Sequence, residues 1–376
     1  MEKEYNRIVI IGNGYDIALG LKTSYKDFAL YYFKDLAIQT LKGSPFYETS
    51  LLSVEKKNTH FTSSINEIEN KINGMTNVKD ILEYMFIIGT ITYKHPFFRF
   101  IINEFKKENW VDIEVQYFKE LSEQYEKYKQ NSKKSDLSGI KSLNECMDKI
   151  TKELHKFILI QQESVGVSYL TSHMSSLIDE IKEPLRYGSE NLLPKHNRKE
   201  PPTKVIFVNF NYTNTVIKII NNSFIGNGFV HINIHGSVND YKNPIIFGYG
   251  DETNKIYQKL QEEDIEELIR KIKSVHYYRT KNNLNLIQHL NSNEFDVFIV
   301  GHSCGISDRT LLNKIFEHDN CIGIKYFHYK GVEEVISKSI QITGHFTDKN
   351  KTENRLLPFD ELATIPQLFK KSLKAP

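Results

Sequence analysis

Asn6-Arg7-Ile8-Val9-Ile10-Ile11-Gly12-Asn13-Gly14-Tyr15-Asp16, with Gly20 just beyond, opens the chain as an apolar, β-branched run that meets a glycine turn. A run with no polar alternation suits a strand covered on both faces, as the strands of parallel sheets are. Past the turn, Thr23 or Ser24 is placed to cap a helix carrying Phe28, Tyr31, Tyr32 and Leu36 at helical spacing. Strand, glycine turn and helix form the first unit of an α/β fold.

Outward from this unit, the chain from about Leu41 to Leu185 is helical in period and almost free of strand signals. Its apolar residues recur helically in Ile65 to Ile72, Val78 to Ile88, Phe97 to Phe105, Ile113 to Tyr128, Ile140 to Ile160 and Tyr169 to Ile181. Pro194 to Lys204, with Pro201 and Pro202 adjacent, reads as a linker. Strand patterns then resume at Val205 to Phe210, Phe229 to Ile234, Pro244 to Phe247, Phe295 to Val300 and Gly323 to Tyr329. A first strand left alone would lack hydrogen-bond partners, so the pattern predicts one parallel or mixed sheet split by a helical insertion.

With 376 residues, two or three domains, or one α/β domain with an insertion, are expected. Hydrophobic residues at 40% and charged residues at 26% exclude a disordered or fibrous chain. The 49 Lys and Arg nearly balance 47 Asp and Glu, so no global field draws the protein to nucleic acid or anionic membrane. Cys146, Cys304 and Cys321 are too few and scattered for a disulfide framework or a paired zinc site, which suits a reducing cytoplasm. Glu2 and Glu4 precede only a short apolar run, which is a strand and not a secretory signal, and no stretch is long enough for a membrane helix.

Four motifs stand at predicted strand ends. Gly12-Asn13-Gly14 with Gly20 is either a tight turn or a place where phosphate meets backbone N–H groups. It departs from the dinucleotide fingerprint, whose third glycine would fall at Ile17. Asn211-Tyr212-Thr213-Asn214-Thr215 sits where open α/β sheets receive ligands, or supplies an asparagine cap. His235-Gly236-Ser237 offers an imidazole that titrates near neutrality, a general base, or a hydrogen-bonded structural histidine; His231, within the strand, reads as structural. Gly301-His302-Ser303-Cys304-Gly305 leads to Ser307 or Asp308 as the cap of a helix burying Leu311, Leu312, Ile315 and Phe316. Its Gly-x-Ser-x-Gly spacing matches a hydrolase nucleophile elbow, but neither His318 nor His328 follows an acid-bearing strand as that chemistry requires.

Elsewhere, Asp112 and Glu114 beside Trp110 are helix-start carboxylates, and two acids without a third ligand make no metal site. Glu120 to Lys134 and Glu262 to Lys273 read as solvated helix faces.

Taken together with Gly20 to Tyr25, Trp110 to Glu114, Asn209 to Thr215, Phe247-Gly248-Tyr249-Gly250-Asp251 and Gly301 to Leu312, these motifs resemble the bacteriophage abortive-infection AbiH family over nearly the whole chain. More distantly, the pattern is similar to sirtuin-like NAD-binding domains. Gly12, Gly14 and Gly20-Leu21 fall at the spacing of the sirtuin glycine loop. Asn211 stands at its asparagine, His235-Gly236 at its catalytic His-Gly, and Gly301-His302-Ser303 at its Gly-Thr-Ser. Asp16, Lys22 and Thr213 replace a serine, a proline and an aspartate, and the four-cysteine zinc module of the protein deacylases is absent.

The resemblance implies a sirtuin-like, Rossmann-type parallel sheet with a large helical insertion after the first strand-helix unit. Residues 1–40 and 204–345 would form the nucleotide-binding domain, 41–203 the insertion and 346–376 a C-terminal tail. Gly12, Asn13, Gly14, Asp16, Gly20, Gly301, Ser303 and Asp308 would hold NAD, with Asn211 and His235 catalytic and no metal. Gly12, Asp16, Asn211, His235 and Ser303 are expected to line one cleft, with the catalytic side chains exposed in it. The implied activity is an NAD glycohydrolase that stops phage growth by depleting host NAD in the cytoplasm. The alternatives are a nucleotide sensor without chemistry, since Asp16 would repel a phosphate unless it meets a ribose hydroxyl, and a nuclease or RNA-binding effector using Lys195, Arg198, Lys199 and Lys204. A phage-derived trigger and self-association through the aromatic-rich insertion (Tyr84, Phe86, Phe97, Phe98, Phe100) are the expected partners, with no membrane contact.

Overall fold

The computed structural model describes residues 4–43, 45–57, 64–107, 112–130, 136–164, 171–185, 198–223 and 228–368. Its strands are β1 (Tyr5–Ile11), β2 (Phe46–Glu48), β3 (Leu52–Lys56), β4 (Gly89–Tyr93), β5 (Lys204–Asn209), β6 (Phe229–Asn233), β7 (Glu294–Val300) and β8 (Cys321–Phe327). The described residues fall into two compact units, Met1–Lys22 with Ile158–Asn254 and Ile272–Pro376, and Thr23–Phe157 with Lys255–Lys271.

In the first unit, five strands form a wholly parallel sheet in the order β6-β5-β1-β7-β8. The sheet therefore grows from β1 in one direction through β5 and β6, then restarts on the other side of β1 with β7 and β8. Asn233, Asn209, Ile11, Val300 and Phe327 lie opposite one another across the ladder. That alignment puts the residues after each of these strands along one edge.

The apolar runs behave as two-faced strands. Ile8, Ile10, Ile206, Val208, Val297 and Ile299 pack with Leu286, Leu290, Leu311, Leu312, Ile315 and Phe316 of the helices Asn282–Ser292 and Arg309–Phe316. Val9, Ile11, Val205, Phe207, Phe298 and Val300 face the other way, onto Leu177, Ile178 and Ile181 of Ser175–Lys182 and Val216, Ile219 and Ile220 of Thr215–Ser223. Each such side chain contributes about 1.5–3 kcal/mol when fully buried.

One buried charge interrupts β1. Arg7 is fully buried and donates to both oxygens of Asp296 on β7, at 2.8 and 2.7 Å. It also donates to the carbonyls of Ile181 and Glu183 at 2.8 and 2.7 Å, fastening the end of a covering helix to the sheet. The segment read from the sequence as a tail packs in its described part: Leu357, Ala363 and Ile365 join the core, and Leu356 and Thr364 bridge to β8 and His328.

The second unit begins with the helix Tyr25–Lys42, capped by Ser24 in a reciprocal box with Asp27. It departs from the sequence reading by containing a three-stranded antiparallel sheet, β2-β3-β4. These strands are only three to five residues long, and β4 follows the helix Val78–Ile88 without a break, so its apolar residues continue the helical period. Gly89 makes the change of backbone, where a Cβ would lie 2.5 Å from Val54 Cγ1 and 2.9 Å from the Glu55 carbonyl oxygen. Tyr84, Phe97 and Phe98 are buried in this unit, whereas Phe86 and Phe100 are exposed. Pro244 to Phe247 is a further correction: it is a loop that makes no ladder, with Ile246 N bonded to the His235 carbonyl. Among the described residues, no helix is long and apolar enough to cross a membrane.

Candidate functional site

The chain after β6 reaches Ile234 and His235, then turns at Gly236, whose φ of +81° and lack of a side chain are both needed because a Cβ would meet the Pro244 carbonyl oxygen at 2.2 Å. Phe210, just past β5, presents its ring edgewise to His235 at 4.8 Å and to His302 at 4.4 Å. The two imidazoles thus flank one phenyl ring at the C-terminal edge of the sheet.

His302 is held by the turn after β7. Gly301 and Cys304 both take positive φ, +69° and +55°. The Cys304 amide donates to His302 Nδ1 at 2.9 Å, and the Cys304 carbonyl pairs with His345 Nε2 at 2.8 Å. With Nδ1 accepting, the His302 proton is on Nε2, which faces Asp308 Oδ2 at 3.5 Å. The other oxygen, Oδ1, accepts from Lys273 Nζ at 2.6 Å and lies 3.5 Å from His235 Nε2. His235 Nε2 also meets the Tyr277 hydroxyl at 3.1 Å.

Burial sets the electrostatics. It pushes His235 down to about 3, with Lys273 and His302 adding to the effect and Asp308 opposing it. The ring is therefore neutral across the physiological range. Burial alone would raise Asp308, but Lys273, His235 and His302 outweigh it and hold the carboxyl well below its usual range.

A second polar group is held by the helix Thr215–Ser223. Asp16, 1% exposed, accepts from Thr213 Oγ1 at 2.7 Å and Thr215 Oγ1 at 2.5 Å. Burial raises its pKa to about 6 against the pull of the two hydroxyls. Between the two groups, Asn211 Nδ2 donates to the Gly12 carbonyl at 3.0 Å, and the Asn211 amide is bonded to Asn209 Oδ1 at 3.1 Å.

The glycine turn is packed against the loop after β7. A Cβ on Gly12 would stand 2.3 Å from His302 Cα, and one on Gly14 would stand 2.8 Å from the Gly301 carbonyl oxygen, to which the Gly14 amide donates at 2.7 Å. Close approach of two backbones thus accounts for both glycines. Gly20, with φ of +86°, ends the short helix Asn13–Ala18, while Asn13 and Ser303 are exposed.

Several expectations change on this geometry. His235 and Asn211 are 3% and 7% exposed, so they are not open cleft residues: Phe210 and Tyr277 cover the imidazole, and the glycine turn holds the amide. Asp308 occupies the cap position of the helix Arg309–Phe316 but makes no side-chain cap bond, because its carboxylate is turned to Lys273 and the histidines. Lys273 belongs to a stretch read as a solvated face, yet it is 1% exposed; nothing in the sequence separates it from the lysines around it. Tyr277, one helical turn on, is equally unmarked. Arg198 is paired with Glu294 at 2.9 Å, and Lys204 lies within β5, while Lys195 is outside the described residues. Asp112 accepts from the Glu114 and Val115 amides at 3.0 and 3.1 Å as a helix-start residue should; Trp110 is outside the described residues. Among the described residues, no group of three His, Cys, Asp or Glu could hold a metal.

Residues 8–329 match the model of the family described as bacteriophage abortive infection AbiH, a span that includes the glycine turn and both histidine loops. No curated protein matches the chain.

Proposed function

The chain belongs to the AbiH abortive-infection family, and from that premise we propose that it is an antiphage protein that binds NAD or a related nucleotide at the C-terminal edge of its parallel sheet and hydrolyses the nicotinamide–ribose bond. Ligands of open α/β sheets bind outside the carboxyl ends of the strands where the order reverses, and here the reversal lies between β1 and β7. The observation that carries the reading is the placement of a buried imidazole, His235, on the same strand-end row as Gly12 and Asn211.

Cleavage of that bond passes through an oxocarbenium-like state, which a dry pocket with fixed dipoles stabilises. Water supplies the hydroxyl of the ADP-ribose product, nicotinamide leaves, and one proton is released. In this reading His235 Nε2 receives a proton from a ribose hydroxyl or the attacking water, and Asn211 orients that group. Because Nε2 already meets the Tyr277 hydroxyl, substrate must displace the tyrosine, which keeps the site closed in the absence of ligand.

The test is to incubate purified protein with NAD, alone and with phage-infected lysate, and follow nicotinamide release. Turnover in either condition that falls by about 10²- to 10⁴-fold in His235→Gln, as for a lost general base, is the expected result; NAD left intact in both conditions refutes hydrolysis. The specific observation favouring a non-catalytic sensor is that the imidazole of His235 is buried and already engaged by the Tyr277 hydroxyl. NAD binding by calorimetry without nicotinamide release would support that second reading.

A further inference from the structure

Lys273 brings an ammonium into a buried site, at 1% exposure. Its amide is bonded to the Tyr249 carbonyl at 2.8 Å, just after the bridge between Tyr249 and Ile272. Its stem then passes beside Gly250, where a Cβ would lie 3.4 Å from both Lys273 Cβ and Cδ and 2.8 Å from the Ser307 carbonyl oxygen. The glycine and the loop before Asp308 thus thread the lysine to a single place, and Nζ reaches Asp308 Oδ1. A buried ion pair is poor evidence for stability, because apolar residues of similar volume serve as well or better. A role in arranging the groups around it is the alternative explanation.

That arrangement is specific. Asp308 offers one oxygen toward His235 Nε2 and the other toward His302 Nε2, each at 3.5 Å, and the Phe210 ring contacts both imidazoles. We infer that Lys273 is a positioning residue: by pinning Asp308 between His235 and His302 it sets the orientation of both imidazoles in the site. Its catalytic meaning rests on the NAD-hydrolysis reading, whereas its effect on the rings does not. The groups facing His235 are Lys273 and Tyr277 from one segment, Asp308 and His302 from the loop after β7, and the backbone of Phe210. Remove the ammonium, and the carboxylate is left to draw a proton onto an adjacent imidazole; a protonated His235 cannot accept another.

The experiment is an NMR titration of the histidine side chains in the full chain, for wild type, Lys273→Met and Lys273→Met/Asp308→Asn. In Lys273→Met, His235 is expected to titrate about one to three pH units higher than in wild type, the usual effect of an opposite charge at this range. The double variant carries no uncompensated buried charge, so it folds even where the single one fails, and its titration returns to the wild-type position. In that double variant the His302 Nε2–H signal of the wild type is expected to be lost to solvent exchange, because its acceptor is no longer held. Unchanged titrations in a folded Lys273→Met, or a persistent His302 N–H in the double variant, would overturn the proposal. Neither readout needs NAD turnover, so a wild-type protein that leaves NAD intact refutes the hydrolysis reading alone.

Discussion

Replacing Asp16 with asparagine removes a carboxylate that the fold buries without a cation among its hydrogen-bond partners, Thr213 and Thr215. Burial moves its pKa from 3.8 to about 6, and at about 1.4 kcal/mol per pH unit the ionised group costs the folded state about 3 kcal/mol at neutral pH. The sign follows from proton counts. From about pH 4 to about pH 6 the unfolded chain has released this proton and the folded protein retains it, so stability falls as pH rises through that window. Asparagine has no such window, and threonine hydroxyls can rotate to accept from its amide. The difference in unfolding free energy, Asp16→Asn minus wild type, should therefore increase by about 1.4 kcal/mol between about pH 5 and about pH 7.5. Urea unfolding followed by circular dichroism at the two pH values measures it. Parallel pH dependence in the two proteins would refute the desolvated-carboxylate reasoning.

Arg7→Met should destabilise the protein by about 3–5 kcal/mol, because it strands Asp296 in the core, and Arg7→Met/Asp296→Leu should recover most of that loss; equal urea midpoints for the single and double variants would argue against the pairing. Gly12→Ala should cost about 1–3 kcal/mol by overpacking, since its Cβ would meet the His302 backbone, and an unchanged melting temperature would contradict the packed turn. Tyr277→Phe should cost about 1 kcal/mol, the worth of one buried hydrogen bond, and an unaltered His235 ring resonance in this variant would mean that the hydroxyl does not engage Nε2.

The parallel strands are legible in the sequence by itself because a strand covered on both faces is recorded locally, as an unbroken apolar run such as Ile8 to Ile11 or Val297 to Val300. The helix Val78–Ile88 and the Ser24 cap are legible for the same reason, since periodicity and capping are settled within a few residues. The motif positions at strand ends follow from those runs. Which polar groups meet there does not. Arg7 finds Asp296 at a separation of 289 residues, and Lys273 finds Asp308 across 35, through sheet register in one case and a threaded loop in the other. The short strands β2 to β4 leave only a faint record, since the alternation of Leu52 and Val54 with Ser53 and Glu55 lasts a few residues, and antiparallel pairing with their neighbours defines them. Asp16, His235 and Asp308 are recognisable as polar residues at strand ends, but their charge states come from burial and from partners that distant parts of the chain bring within hydrogen-bonding range.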